Sequence, residues 1–207
     1  MKLKVIIAVL GLVNLLTAAE SPKEFYSRVE RHLRSLPTLE VEYLAEGLAF
    51  GAEGMIGHMY WLRPDYFLHD TPEWSHCDTR AEQWRYLKAQ NTLIRETPQG
   101  RSDWLPESIL LDISVDLQPR ELSENESGQV ILTLRSDGPN SPGELQLRFA
   151  KDSLHPDEIE FTGDDGSTTL YRIKSWQENV KIDPGLFTPP RVPAENLIDF
   201  RTSGESK

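Results

Sequence analysis

Phe25, Val29, Leu33 and Leu36 recur at helical spacing and form one apolar stripe on an otherwise polar stretch. Ser21 and Glu24 stand at capping-box separation with Pro22 at the first helical position, so a helix is predicted over residues 22–36. Pro37 stops it. The apolar period then falls from about 3.6 to 2. Leu39, Val41, Tyr43 and Ala45 alternate with Glu40, Glu42 and Glu46, Leu44 being the exception. That pattern describes a strand with one dry face.

Strand-like runs follow at 55–63, 66–69, 83–87 and 92–96, parted by short polar breaks. Gly51 and Gly54 are expected to bracket the first turn, and Arg63-Pro64-Asp65 interrupts the next pair where a proline breaks no ladder. An antiparallel meander is the natural arrangement. Between Asp103 and Asp116 the alternation fails, and Leu105, Ile109, Leu110 and Ile113 suggest one or two helical turns, capped by Ser102 or Asp103 with Pro106 near the start. A second meander is predicted at 130–134, 144–149, 158–161 and 168–176, where Leu145, Leu147 and Phe149 alternate with Glu144, Gln146 and Arg148. Gly163-Asp164-Asp165-Gly166 offers the positive-φ positions of a tight hairpin, and residues 136–143 form a plain Pro-, Gly- and Ser-rich connection. No repeat at a solenoid period is present.

Ahead of the first helix, Lys2 and Lys4 precede an apolar run over 5–16 that ends in Thr17, Ala18 and Ala19. This is the pattern of an export signal, with cleavage expected after Ala19 and residues 20–207 left as a single domain. The run is shorter than the roughly 20 residues of a membrane span; an uncleaved anchor is the alternative. Cys77 is the only cysteine, so none stands at the new N-terminus for lipid modification and no intrachain disulfide can form. Residues 1–19 hold two lysines and no acid, which takes the formal charge from −11 for the whole chain to −13 for the remainder. So acidic a surface argues against nucleic acid or an anionic membrane face as the main partner.

His69-Asp70 and His76-Cys77-Asp78 gather residue types used in nucleophilic catalysis and metal binding. Neighbours on an extended strand point to opposite faces, which leaves His76 badly placed as a base for Cys77, and His69 with His76 gives no tight metal spacing. The stretch is taken as a hairpin end with a chance free thiol. The acidic turn at 163–166 lacks the ligand spacing of a complete calcium loop. Glycine-rich phosphate loops, nucleophile elbows and paired metal-binding histidines are absent from the sequence. No catalysis, cofactor or metal is expected.

Three further segments carry a resemblance. Trp61-Leu62-Arg63-Pro64-Asp65-Tyr66-Phe67 has an aromatic-x-Arg-Pro-x-x-Phe form, Trp84 and Tyr86 make a Trp-x-Tyr strand, and Phe187-Thr188-Pro189-Pro190 stands near the end. Asp165-Gly166 followed by Tyr171-Arg172-Ile173-Lys174-Ser175 falls between them in order. After an export signal and a capped helix, this succession resembles the LolA family of outer-membrane lipoprotein carriers across nearly the whole of residues 20–207. The chain departs from the family at Tyr43-Leu44-Ala45, where a Phe-x-Gln is usual, and at 75–80, which lacks the family's Asp-Gly turn.

The resemblance implies an α+β, mainly β fold: an unclosed antiparallel β-barrel (LolA/LppX-like) with an α-helical lid, made by the helix at 22–36 and the one near Ile109. It implies a monomeric periplasmic carrier that takes acylated lipoproteins from an inner-membrane lipoprotein-releasing transporter and delivers them to an outer-membrane acceptor. A LolA-like lipid-binding sensor or regulatory module of the cell envelope is the alternative. Strand parity points Leu39, Val41, Tyr43, Met59, Trp61, Phe67, Leu145, Leu147, Phe149, Tyr171 and Ile173 at the concave face, as candidate lipid-binding cavity residues. Phe67 is equally an ordinary core phenylalanine. Arg63 shares parity with Trp61 and Met59, and the resemblance makes it a lid latch; a guanidinium has five donors and no acceptor, so lid carbonyls would satisfy it. A surface arginine beside a turn is the other reading.

Overall fold

Ser21 Oγ accepts the Glu24 backbone N–H at 3.3 Å while Glu24 Oε2 accepts that of Ser21 at 2.9 Å, the reciprocal pair of a capping box. It starts helix α1 (Pro22–Ser35) in a computed structural model that describes residues 20–98, 117–135, 143–163 and 165–201. The export signal, the helical turns near Ile109 and most of the connection at 136–143 lie outside the described residues.

Among the described residues twelve strands follow: β1 (Thr38–Gly47), β2 (Gly51–Leu62), β3 (Tyr66–Asp70), β4 (Trp74–Thr79), β5 (Gln83–Leu87), β6 (Thr92–Glu96), β7 (Gln118–Glu124), β8 (Val130–Arg135), β9 (Glu144–Phe149), β10 (Pro156–Thr162), β11 (Thr168–Glu178) and β12 (Leu197–Asp199). They form one sheet in the order β12-β6-β5-β4-β3-β2-β1-β11-β10-β9-β8-β7. Pairing of β1 with β11 joins the two expected meanders into one wall. The end strands β12 and β7 do not pair with each other, so the barrel is unclosed, and α1 is the one α-helix among the described residues.

Period-2 alternation sorts side chains to the two faces. Leu39, Val41, Tyr43 and Ala45 of β1 are all buried on the concave face, where they meet Leu132, Leu134, Leu145, Leu147, Phe149 and Ile159 from the second meander. Helix α1 closes over them with Phe25, Val29 and Leu33; the Phe25 ring meets Phe149 edge-on at 5.1 Å. The outer face is divided. Across β1 and β9–β11 it carries ion pairs such as Arg148 with Glu160 (2.7 Å) and Arg172 with Glu46 (2.8 Å). Across β3–β6 it is apolar, and Ile182 and Phe187 from the segment after β11 cover Leu68, Cys77, Trp84 and Leu93.

Three strands differ from the sequence reading. His76-Cys77-Asp78, taken as part of a hairpin end, belongs to the full strand β4, paired on both sides. Strand β7 precedes the expected start of the second meander, and β12 returns to lie parallel to β6. The first turn is also displaced. Gly47 and Gly51 are its cross-strand pair, whereas Gly54 lies within β2, where a Cβ would come 2.7 Å from the Ala45 carbonyl oxygen.

Candidate functional site

The eleven residues assigned to the concave face come together. Ten are buried in one cluster, and Ile173 is half-buried against it. Phe25, Val29, Leu33 and Leu36 of the helix segment belong to the same cluster, so α1 packs directly on the concave face. Phe67 is both core and concave wall, 5.9 Å from the Trp61 ring.

Arg63 ties the sheet to the helix. Its Nη2 donates to the Leu33 carbonyl oxygen at 3.1 Å, and its backbone N–H to the Pro37 carbonyl at 2.9 Å. The Leu33 carbonyl belongs to the last turn of α1, at the partly negative end of the helix, and it also accepts the N–H of the C-cap residue Leu36 at 3.3 Å. The guanidinium carbon stands 5.5 Å from the Trp61 ring centroid. Burial, with Arg34 nearby, lowers the Arg63 pKa, yet an arginine stays charged at any physiological pH. A second tie joins His32 Nε2 and Glu178 Oε1 at 2.8 Å, with Trp176 Nε1 donating to the same oxygen at 3.0 Å. Burial alone would raise the Glu178 carboxyl; the bonds with His32 and Trp176 outweigh it and hold the pKa below its ordinary value.

At the far end of β1 and β2 from Arg63 lies an open cavity of about 850 Å³. Of the eleven, Tyr43 and Tyr171 border it, their rings 5.5 Å apart edge to face, and so stand between the packed core and the open space. Tyr43 is hydrogen-bonded through its hydroxyl to His69 Nε2, and His69 meets Trp74 edge-on at 4.7 Å. Burial pushes the Tyr171 phenol up to about 12 and raises Tyr43 as well, so both rings stay neutral. The Tyr43 ring needs a bare backbone beneath it. A Cβ on Gly57, its cross-strand neighbour, would fall 2.2 Å from the Tyr43 hydroxyl oxygen.

The inner face of β3–β5 gives this cavity a polar wall that the sequence reading did not assign. His69, His76 and Arg85 are cross-strand partners in one row, and all three line it. His76 Nε2 lies 3.0 Å from Gln83 Nε2 and 3.4 Å from Asp78 Oδ1. The signal available was parity: Trp74, His76 and Asp78 share one face of β4. Gly57 inside a strand was a second cue, since such a glycine marks a close approach.

Cys77 faces the other way. Its thiol donates to the Phe187 carbonyl oxygen at 3.6 Å, Trp84 Nε1 donates to the same oxygen at 3.2 Å, and burial raises the thiol pKa. Phe187 of the Phe-Thr-Pro-Pro segment and Trp84 of the Trp-x-Tyr strand therefore clamp each other on the outer face. Among the described residues no three His, Cys, Asp or Glu side chains gather as a metal site.

No protein-family model matches the chain, and no curated protein matches it in sequence. Solved structures do match. An uncharacterised conserved protein from Thermus thermophilus is 19% identical with a TM-score of 0.55, over 88% of this chain and 99% of its own. A putative outer-membrane lipoprotein-sorting protein domain from Vibrio parahaemolyticus is 12% identical with a TM-score of 0.45, over 79% and 94%. A LolA superfamily protein from Nitrosomonas europaea is 9% identical with a TM-score of 0.43, over 83% and 99%. At 19% identity the likeness to the Thermus thermophilus protein is one of fold, and the strand order here is that of an unclosed antiparallel β-barrel with an α-helical lid.

Proposed function

We propose that the protein is a periplasmic carrier that holds the acyl chains of lipoproteins released from the inner membrane and delivers them to an outer-membrane acceptor. The bond from Arg63 to the Leu33 carbonyl carries this reading. It is a polar fastening, placed at one end of a helix whose apolar stripe covers an apolar concave face. Lifting that helix would expose the wall that a hydrocarbon requires, and an acyl chain of about 15 methylenes left in water costs on the order of 12 kcal/mol at ~0.8 kcal/mol per CH₂. The chemistry asked of the protein is binding and release, with no covalent step and no cofactor. Its expected partners are an inner-membrane lipoprotein-releasing transporter, acylated lipoproteins and an outer-membrane acceptor.

One observation favours a second reading, a lipid-binding sensor or regulatory module. The residues beneath α1 pack into one core, whereas the open cavity of about 850 Å³ has the size of a pocket for one small ligand, ~300–1,000 Å³. Incubating the protein with inner-membrane vesicles bearing lipoprotein separates the two. A carrier forms a soluble lipoprotein complex, and its Arg63→Leu variant takes cargo but fails to pass it on; absence of any soluble complex removes the carrier reading.

A further inference from the structure

The open cavity is lined by apolar and by charged side chains, and the charges are of both signs. Phe50, Met55 and Ile56 of the β1–β2 arm make the apolar side. Arg85 lies on the inner face of β5 beside the buried His76, its cross-strand partner. Glu53, on the same arm as the apolar residues, and Glu73, just before β4, also line the cavity; both are exposed, as is Arg85. Neither carboxylate nor the Arg85 guanidinium is ion-paired with any described residue, and Lys88 nearby is already held by Asp70 at 2.7 Å.

Opposite charges that share a cavity without meeting each other suit a guest that carries both. An uncharged guest would cover Arg85 and leave it without a partner, which is costly for a charge taken out of water. A purely anionic guest would satisfy Arg85, whose planar fork suits phosphate, but would set its charge against Glu53 and Glu73. A guest that carries both a phosphate and an ammonium offers each of the three groups an opposite charge. Phe50, Met55 and Ile56 add a place for hydrocarbon, and the volume suits one chain rather than three.

We infer that this cavity binds a single-chain amphiphile with a zwitterionic phosphate-and-ammonium headgroup, its phosphate on Arg85 and His76 and its ammonium toward Glu53 and Glu73. The assignment rests on the lipid-binding reading above and names a site separate from the interior beneath α1.

Calorimetric titration of the protein tests it with four probes: lysophosphatidylethanolamine, lysophosphatidylglycerol and monoacylglycerol of one chain length, each below its micelle concentration, and chainless glycerophosphoethanolamine. The zwitterionic lysolipid binds about tenfold or more tightly than each of the others. Arg85→Gln lowers its affinity to that of monoacylglycerol, and Glu53→Gln with Glu73→Gln brings lysophosphatidylglycerol level with it. Equal affinity for the three chain-bearing probes overturns the headgroup assignment, and equal affinity for glycerophosphoethanolamine overturns the amphiphile. Binding of none overturns both, while the carrier reading stands if the vesicle assay still yields a soluble lipoprotein complex.

Discussion

Replacing Arg63 by leucine cuts a polar fastening of α1 and leaves its apolar contacts in place. Those contacts are the larger quantity: Phe25, Val29, Leu33 and Leu36 are each at most 5% exposed, and at ~1.5–3 kcal/mol per buried side chain they contribute on the order of 6–12 kcal/mol. That figure is an upper one, because an unfolded chain already buries part of its apolar surface. A hydrocarbon lying between helix and sheet gives both faces an apolar neighbour again, so most of this term cancels between the closed and loaded forms. The Arg63 bond to Leu33 is not replaced. A hydrogen bond from a charged donor contributes ~1.5–3 kcal/mol, which is a shift of roughly 10- to 150-fold in the opening of the helix. Native-state hydrogen exchange reads this directly. In Arg63→Leu, amide protection over residues 25–33 falls by that factor while β1 and β11 keep theirs, and Arg63→Lys, which keeps charge without the fork, falls between. Unchanged protection in α1, or an equal loss across the whole sheet, would refute the latch.

Three other perturbations follow from the same geometry. Gly57→Ala forces the Tyr43 ring off the strand and breaks its bond to His69, at a cost of about 1–3 kcal/mol in urea unfolding; an unchanged midpoint refutes the close approach. Cys77 stays unlabelled by a thiol reagent in the folded protein and reacts once it is unfolded, since the thiol is buried and its pKa is raised; rapid native labelling contradicts that placement. The Glu178 pKa is lower folded than unfolded, so its stabilisation is full above the ordinary carboxylate pKa and is lost as pH falls through the folded value. Thermal melts between pH 7 and pH 3 should therefore show a stability gap between the protein and Glu178→Gln that closes in acid, and a gap independent of pH removes the His32–Glu178 tie.

Most of the barrel was legible because its strands are half-dry. Glu40, Glu42 and Glu46 interleaved with Leu39, Val41 and Tyr43 mark a concave and a solvated face without any tertiary information. Strand β4 was missed because it is buried on both sides by unlike surroundings. Ser75 and Cys77 point to the outer face, and His76 and Asp78 to the inner one, so no apolar alternation survives. Strand β7, with Pro119 and mostly exposed polar side chains, is an end strand, and β12 is three exposed residues placed by pairing with a strand about a hundred residues earlier. The same division holds at the site. Arg63 and its helix were legible from parity and resemblance, whereas the polar cavity depends on which strands are neighbours, and that cross-strand row of His69, His76 and Arg85 has no local signature.

A carrier of this design requires α1 to give way to acyl chains inside the cell. Native mass spectrometry of the protein recovered from the cell envelope reads that state without any added probe. A population carrying an acylated adduct is expected, enriched in Arg63→Leu because that variant holds its cargo. Recovery of bare protein alone, in the wild type and in Arg63→Leu alike, would contradict it.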